Sequence, residues 1–422
     1  MTLSKPRLAF ISPQFLFPND AGGKIRTTNI LRGMKNSAFS VLLASPATAE
    51  DETRYAADIA AVCDDFIAWR PTAPRPVWLR AFDLLDALPV NVVSDRTAAG
   101  LAALRSLGAR NDIDLFVFDF VHAAVLRPAG LDCATVCFTH NVEAEIFARH
   151  ATQARDFANR WMWRSQHEKM RRFEKRALGE FTSVVAVSER DAFFFSDEYG
   201  IRNACAIPTG VDLDFFSYQE PPEVGPDTPP TVVFTGSMNW IANIDGVRFF
   251  LEHVWSRVVA ERPEARFLVV GRDPPESLFA AARRQRNVEL TGFVDDVRPY
   301  AHAAHAFVIP LLVGGGTRIK AFEAMAMGCP VVSTSIGMEG LEVTPDEHYL
   351  CRDDPASMAS ALIMLLDDPK HRLQLSRRAR DCVEQRFGHA VAARAFERIC
   401  VGALKSHADC HSDRHLTAPI TR

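Results

Sequence analysis

The sequence predicts an α/β protein built as two tandem doubly wound Rossmann-like domains. At 422 residues the chain exceeds what one hydrophobic core usually organises. Short β-branched or aromatic runs alternate with segments of helical length in both halves, the order that gives a parallel sheet with crossover helices. Between the two series the composition changes abruptly after Phe216 to a proline- and acid-rich stretch, Gln219 to Pro230, which has little to bury and reads as a linker.

Strands are expected in the first half over residues 8–11, 41–44, 114–120, 134–139 and 183–187, each run lying between polar or proline-containing stretches. The second series is expected over 231–235, 266–270, 288–291, 306–311 and 330–334. The resulting division is a first domain over 1–218, a linker over 219–230 and a second domain over 231–388. A terminal helix over 389–405 can then pack back on the first domain, ahead of a polar, frayed tail over 406–422. Ligands of such sheets sit outside the carboxyl ends of the strands, so the loops that follow the strands are where chemistry is expected.

Composition excludes several classes. Hydrophobic residues at 48% and charged residues at 24% match soluble globular proteins rather than disordered chains. The net charge of −4 gives no global basic field, so nucleic acid is not an expected partner. The opening Met1 to Pro6 runs straight into a strand pattern without signal-peptide features, and no apolar run reaches the ~18 residues needed to span a bilayer, so a cytoplasmic protein is expected. Nine cysteines lie scattered without paired spacing, and the nearest two, Cys133 and Cys137, fall in an apolar strand pattern. Neither a disulfide framework nor a zinc site follows.

The strongest local signal runs from Pro310 to Val332. A buried strand ends, Gly314, Gly315 and Gly316 let backbone approach a ligand, and Thr317 is placed to cap a helix that ends at Gly328 before the next strand. The helix mouth offers unpaired N–H groups and a positive dipole end, which suits a diphosphate. Arg318 and Lys320 add two cations where the dipole alone favours acids, and that local conflict points to an anionic ligand.

This segment resembles the donor-binding signature of retaining glycosyltransferases of the GT-B fold, family 4. Glu323-Ala324-Met325-Ala326-Met327-Gly328-Cys329-Pro330-Val331-Val332 matches the family pattern Glu-Ala-Met-Ala-x-Gly-x-Pro-Val-Val position by position. The resemblance implies two domains facing a cleft and assigns Glu323 to the two ribose hydroxyls of a nucleotide, a task suited to a carboxylate that can accept from both hydroxyls of a vicinal diol. The family usually carries a second glutamate eight positions earlier, against the donor sugar, and here that position is Gly315. It also often places an arginine and a lysine after the first strand of this half, where this chain has Gly236, Ser237, Met238 and Asn239. Arg318 and Lys320 are expected to take over those charges, with Gly236, Asn239 and Trp240 near the donor. Gly271 and Arg272, and likewise Phe293 and Val294 after Gly292, resemble the remaining strand-end loops of the donor half, the second bordering the base.

In the first half, Gly22 and Gly23 resemble the family's glycine pair at the start of its first helix, where N–H groups meet the donor diphosphate or the acceptor. The stretch is not a Walker A loop, because Lys24 is followed by Ile25 rather than Ser or Thr. His140, closing a strand at Phe138-Thr139, is the counterpart of a histidine that contacts the donor sugar and is expected to face the cleft; a histidine at a strand end is also a common structural group.

The function implied is transfer of a sugar from a nucleoside diphosphate sugar to an acceptor hydroxyl with retention, in polysaccharide or glycolipid assembly. Arg318, Lys320 and His140 are the expected catalytic residues. No cofactor or metal is expected. A nucleotide-sugar epimerase of the same fold, or an inactive nucleotide-sugar-binding relative, stands as the alternative. Between Arg155 and Arg176 lie eight Lys or Arg against three acids, with Trp161 and Trp163 among them, and Trp69, Arg70, Arg75, Trp78, Leu79 and Arg80 form a second basic and aromatic group. Such groups suit either an anionic membrane surface near a saccharide or lipid-linked acceptor, or a solvated helix with core tryptophans.

Overall fold

The computed structural model describes residues 5–20, 22–35, 37–72, 83–154, 156–225, 228–238, 240–313 and 319–416. The chain divides into two compact units, Met1–Gly210 with His389–Arg422, and Val211–Gly388.

In the first unit a seven-stranded parallel sheet has the order β3-β2-β1-β4-β5-β6-β7. Its strands are β1 (Arg7–Ile11), β2 (Ser40–Pro46), β3 (Asp65–Trp69), β4 (Leu115–Asp119), β5 (Ala134–Phe138), β6 (Ser183–Ala186) and β7 (Ala204–Ala206). β4 and β5 are buried along their whole length, as expected for a parallel sheet covered on both faces. The strand pleat splits the apolar residues of β1 and β4 between two cores: Ala9, Ile11, Phe116 and Phe118 face one side, and Leu8, Phe10, Leu115 and Val117 face the other.

The second unit repeats the plan with the parallel order β10-β9-β8-β11-β12-β13. These strands are β8 (Thr231–Thr235), β9 (Arg266–Val270), β10 (Val288–Gly292), β11 (Ala306–Ile309), β12 (Val331–Ser333) and β13 (Leu350–Cys351). Strand order reverses between β1 and β4 in one unit and between β8 and β11 in the other. A crevice opens at the carboxyl ends there because the flanking connections leave to opposite faces.

Every central strand lies where its apolar run predicts, whereas β3, β7 and β13 carry no expectation from the sequence. All three are sheet edges; β7 and β13 are only three and two residues long, whereas β3 does carry an apolar run, Phe66-Ile67-Ala68-Trp69, on a strand that is in part solvent-facing. Helix starts follow local chemistry: Asp354 accepts from the N–H groups of Ala356 and Ser357, Asp368 from those of Lys370 and His371, and each precedes a proline at the first helical position.

The unit boundary falls at Gly210/Val211, and the proline-rich stretch expected as a linker packs on the second unit instead. Buried Arg372 donates to the carbonyls of Leu365 and Pro222, the Gln219 N–H donates to the Met327 carbonyl, and Arg377 pairs with Glu220. Polar contacts to the backbone and to the Glu220 side chain hold the segment down. The last helix runs from His389 to Leu416, so residues 406–416 of the expected tail are helical, and 417–422 lie outside the described residues. It packs on the first unit, where a Cβ on Gly33 would stand 2.3 Å from that of Ala393, and Phe396 meets the Phe138 ring edge-on at 5.1 Å.

The tryptophans divide. Trp69 ends β3 inside the core, a correction to its place in a surface group, while Arg75, Trp78, Leu79 and Arg80 lie outside the described residues. On the helix Phe157–Leu178, Trp163 turns inward against Phe147 and His150, whereas Phe157 and Trp161, one turn apart, are 81% and 68% exposed.

Gly328 closes the helix Ile319–Ala326 at φ +86°, and a Cβ there would lie 2.2 Å from the Gln219 carbonyl oxygen and 2.8 Å from the Tyr218 ring. Gly328→Ala is therefore expected to lower stability by at least about 2 kcal/mol, through left-handed backbone strain and overpacking. Urea unfolding checks this, and an unchanged midpoint would contradict the packing of 218–219 on this helix end.

Candidate functional site

At the switch point of the second unit two strand-end loops meet backbone to backbone. The Gly236 N–H after β8 donates to the Val270 carbonyl at 2.9 Å, and a Cβ on Gly271 would stand 1.9 Å from the Gly236 carbonyl oxygen. Only glycine fits at 271. Lys320, in the first turn of the helix Ile319–Ala326, reaches across to this loop: its Nζ donates to Asn243 Oδ1 at 2.9 Å and lies 4.4 Å above the Phe234 ring, and a Cβ on Gly236 would come within 2.7 Å of it. Asn243 is itself buried and donates to the Ser237 carbonyl at 2.8 Å, so the lysine tip is held by a fixed acceptor.

Glu323 follows Lys320 by three residues, which places both on one side of the helix. Its carboxylate is half-buried and has no hydrogen-bond partner among the described residues. Burial pushes its pKa up to about 7, opposed by the charge of Lys320. An unpartnered carboxylate whose charge is disfavoured by burial is suited to accept hydrogen bonds from a ligand. Arg272 is exposed, with Nε donating to Ser237 Oγ at 3.3 Å. Phe293 is 71% exposed beyond Gly292, Val294 packs partly into the core, and Ile241, Leu312 and Val313 add exposed apolar surface after β8 and β11. The loop ends thus bring together Gly236, Gly271, Arg272 and Lys320. Asn239 and the segment Gly314, Gly315, Gly316, Thr317 and Arg318 lie outside the described residues.

In the first unit the carboxyl ends of β1, β4 and β5 converge on Asp119. This fully buried carboxylate accepts from Ser12 Oγ at 3.1 Å, from Thr27 Oγ1 at 3.0 Å and from His140 Nε2 at 2.7 Å. His140, expected to face a cleft, is only 4% exposed, and its Nδ1 is buried without a partner. Burial lowers its pKa against the pull of Asp119, which favours the neutral ring. Phe120, in left-handed backbone geometry at φ +66°, stacks on His140 at 4.0 Å and presses on Gly23, where a Cβ would meet its ring at 2.8 Å. Gly22 opens the helix Gly22–Met34 with free space around it. Arg26 of that helix is buried with no hydrogen bond among the described residues; burial holds its pKa down at about 10, with Asp191 opposing.

Asn243, Asp119, Arg26 and Phe120 escaped the sequence reading. Asp119 had a signal, a carboxylate directly ending an apolar strand run, whereas the roles of the others depend on which strands become neighbours.

Because burial raises the Glu323 pKa from its unfolded value near 4.5 to about 7, the protonated form is favoured on folding, and this contribution is lost as pH rises through about 7. Stability is expected to fall between pH 5 and 8 by more in the wild type than in Glu323→Gln. Parallel pH–stability curves for the two proteins, from denaturant unfolding, would contradict the burial of this carboxylate.

The second half of the chain, residues 229–368, matches the family model described as Glycosyl transferases group 1, and residues 22–215 match that of Glycosyltransferase Family 4. A curated relative, an uncharacterised 44.6 kDa protein in the cps region of Klebsiella pneumoniae, is 24% identical over 139 residues, a match spanning 31% of this chain and 36% of that protein. Among solved structures the fold is similar to sucrose-phosphate synthase from Thermosynechococcus elongatus (TM-score 0.63, 16% identity, covering 95% of this chain and 100% of the other). It is similar also to Anabaena Alr3699/HepE in complex with UDP (TM-score 0.61, 13% identity, 93% and 98% covered) and to TarM (TM-score 0.66, 10% identity, 94% and 99% covered). These likenesses are of fold, and with the two parallel sheets they give the GT-B architecture. Two family models that between them span most of both units make the chain a member of glycosyltransferase family 4, with a group 1 domain in its second half.

Proposed function

We propose that this glycosyltransferase moves a sugar from a nucleoside diphosphate sugar to an acceptor hydroxyl with retention, in polysaccharide or glycolipid assembly, with the donor on the second unit and the acceptor on the first. The observation that supports the donor site is the placement of Lys320 on the Gly236 loop, with the unpartnered carboxylate of Glu323 one turn along the same helix. A cation against glycine backbone at a switch point suits a diphosphate, and the carboxylate suits a ribose diol. HepE has been solved with UDP and with UDP-glucose, and S. aureus TarM with UDP and alpha-GlcNAc-glycerol, so uridine diphosphate sugars are the first donors to try.

As the bond from the sugar C1 to the phosphate oxygen lengthens, negative charge gathers on the diphosphate. Lys320, Arg318 and the N–H groups of Gly314, Gly315 and Gly316 are assigned to stabilise it, without a metal, and no side chain need act as a nucleophile. A panel of nucleotide sugars screened by thermal shift tests the donor reading. A ligand at 100 times its dissociation constant adds about 2.7 kcal/mol of stability. Arg318→Ala is expected to lose on the order of 2–4 kcal/mol of transition-state stabilisation. Near-normal turnover by that variant sinks the assignment, and turnover of a donor with no acceptor present favours an epimerase.

The exposed pair Phe157 and Trp161 leads the basic face of its helix, where Arg160, Arg164, Arg171, Arg172, Lys175 and Arg176 outnumber Glu168. Arg171 and Arg172 both pair with Glu168. Apolar tips beside a cationic face support docking on an anionic bilayer near a lipid-linked acceptor. Selective binding to anionic vesicles is expected, and Arg171, Arg172, Lys175 and Arg176→Gln should abolish the selectivity; equal binding by both proteins removes the idea.

A further inference from the structure

A second histidine–carboxylate pair stands at the switch point of the first unit. His122, three residues past the end of β4, has Nδ1 2.5 Å from Asp95 Oδ2, at the end of the helix Val90–Asp95. Its ring stacks on Phe120 at 5.0 Å, so Phe120 contacts both the His122 and the His140 rings. The two histidines differ in access: His140 is closed off, whereas the His122 side chain keeps 19% of its surface open and its Nε2 makes no hydrogen bond among the described residues.

A carboxylate on one ring nitrogen fixes the tautomer and the ring direction, leaving the other nitrogen to a ligand. The strained backbone of Phe120 and the ring stack hold the plane of the imidazole. The carboxylates of Asp95, Asp119 and Glu143 around it disfavour an anionic ligand and leave a hydroxyl-bearing one. We infer that His122 holds the acceptor in the first unit, its Nε2 lone pair accepting a hydrogen bond from a saccharide hydroxyl, with Asp95 as the positioning residue. The inference rests on the reading that this unit takes the acceptor.

Burial works against protonation of His122, but the Asp95 hydrogen bond and the charges of Asp95, Glu143 and Asp119 override it, and the pKa is raised. His140 is the other titratable group in electrostatic contact with it. Only the neutral ring offers a lone pair, so use of the acceptor should improve as pH rises through this ionisation. Asp95→Asn keeps an acceptor on Nδ1 and removes the charge, which should move that limb to lower pH.

Alkyl glycosides as acceptors with a UDP-sugar donor, assayed across pH, test this. His122→Ala should lower kcat/KM for the acceptor by about tenfold or more, the order for one substrate hydrogen bond, with donor KM and the UDP-induced thermal shift unchanged. His122→Gln, whose amide oxygen can accept, should recover part of the loss. Wild-type acceptor kinetics in His122→Ala, a pH limb that stays in place in Asp95→Asn, or refusal of every alkyl glycoside by a wild type that binds UDP would each overturn the assignment. A wild type that shows no UDP-induced shift would instead overturn the donor reading beneath it.

Discussion

The ammonium of Lys320 against the backbone of Gly236 is the contact on which the second site depends. A cation placed in the first turn of a helix is opposed by the helix dipole, and here it is held by a buried amide oxygen from Asn243 and the face of Phe234. Both supports come from the strand and helix that flank the β8 loop, while the lysine itself comes from the far side of the switch point. The charge therefore sits over the crevice only because β8 and β11 are neighbours. Glycine at 236 and 271 completes the arrangement, since any side chain would occupy the space of the ammonium or of the neighbouring backbone.

The first unit solves a related problem with different chemistry. Its switch point is closed by a buried carboxylate, Asp119, saturated by two hydroxyls and a histidine, rather than by a cation. Around that fixed centre the ring stack of His140, Phe120 and His122 runs outward to the half-buried Asp95 pair. Neutral and weakly charged groups of this kind suit hydroxyl ligands, whereas the second unit concentrates positive charge. The two units share a sheet plan and differ in the charge of the group at the switch point, a carboxylate in the first and an ammonium in the second.

Much of this was legible in the residues. The central strands announce themselves because burial on both faces demands unbroken apolar runs such as Leu115 to Phe118. The helix of Lys320 and Glu323 is legible because glycine, cation, carboxylate and closing glycine occur at fixed spacing. The edge strand β10 was legible, but the shortest edge strands were not, since a three-residue strand such as Ala204–Ala206 needs only backbone pairing from one side. The stretch from Gln219 to Pro230 misled for a similar reason: proline and acid leave little to bury, but its Pro222 carbonyl is claimed by Arg372, a partner 150 residues away in sequence. His122 and Asp95 lie 27 residues apart, and no local pattern marks them as a pair.

The claim that Lys320 grips a diphosphate has a direct measurement, calorimetric titration of UDP into the wild type and Lys320→Met over a range of salt concentrations. The account predicts affinity weaker by about tenfold or more in the variant and a shallower dependence on salt, as befits loss of one partly buried charge contact. Equal dissociation constants with equal salt slopes in the two proteins would contradict it.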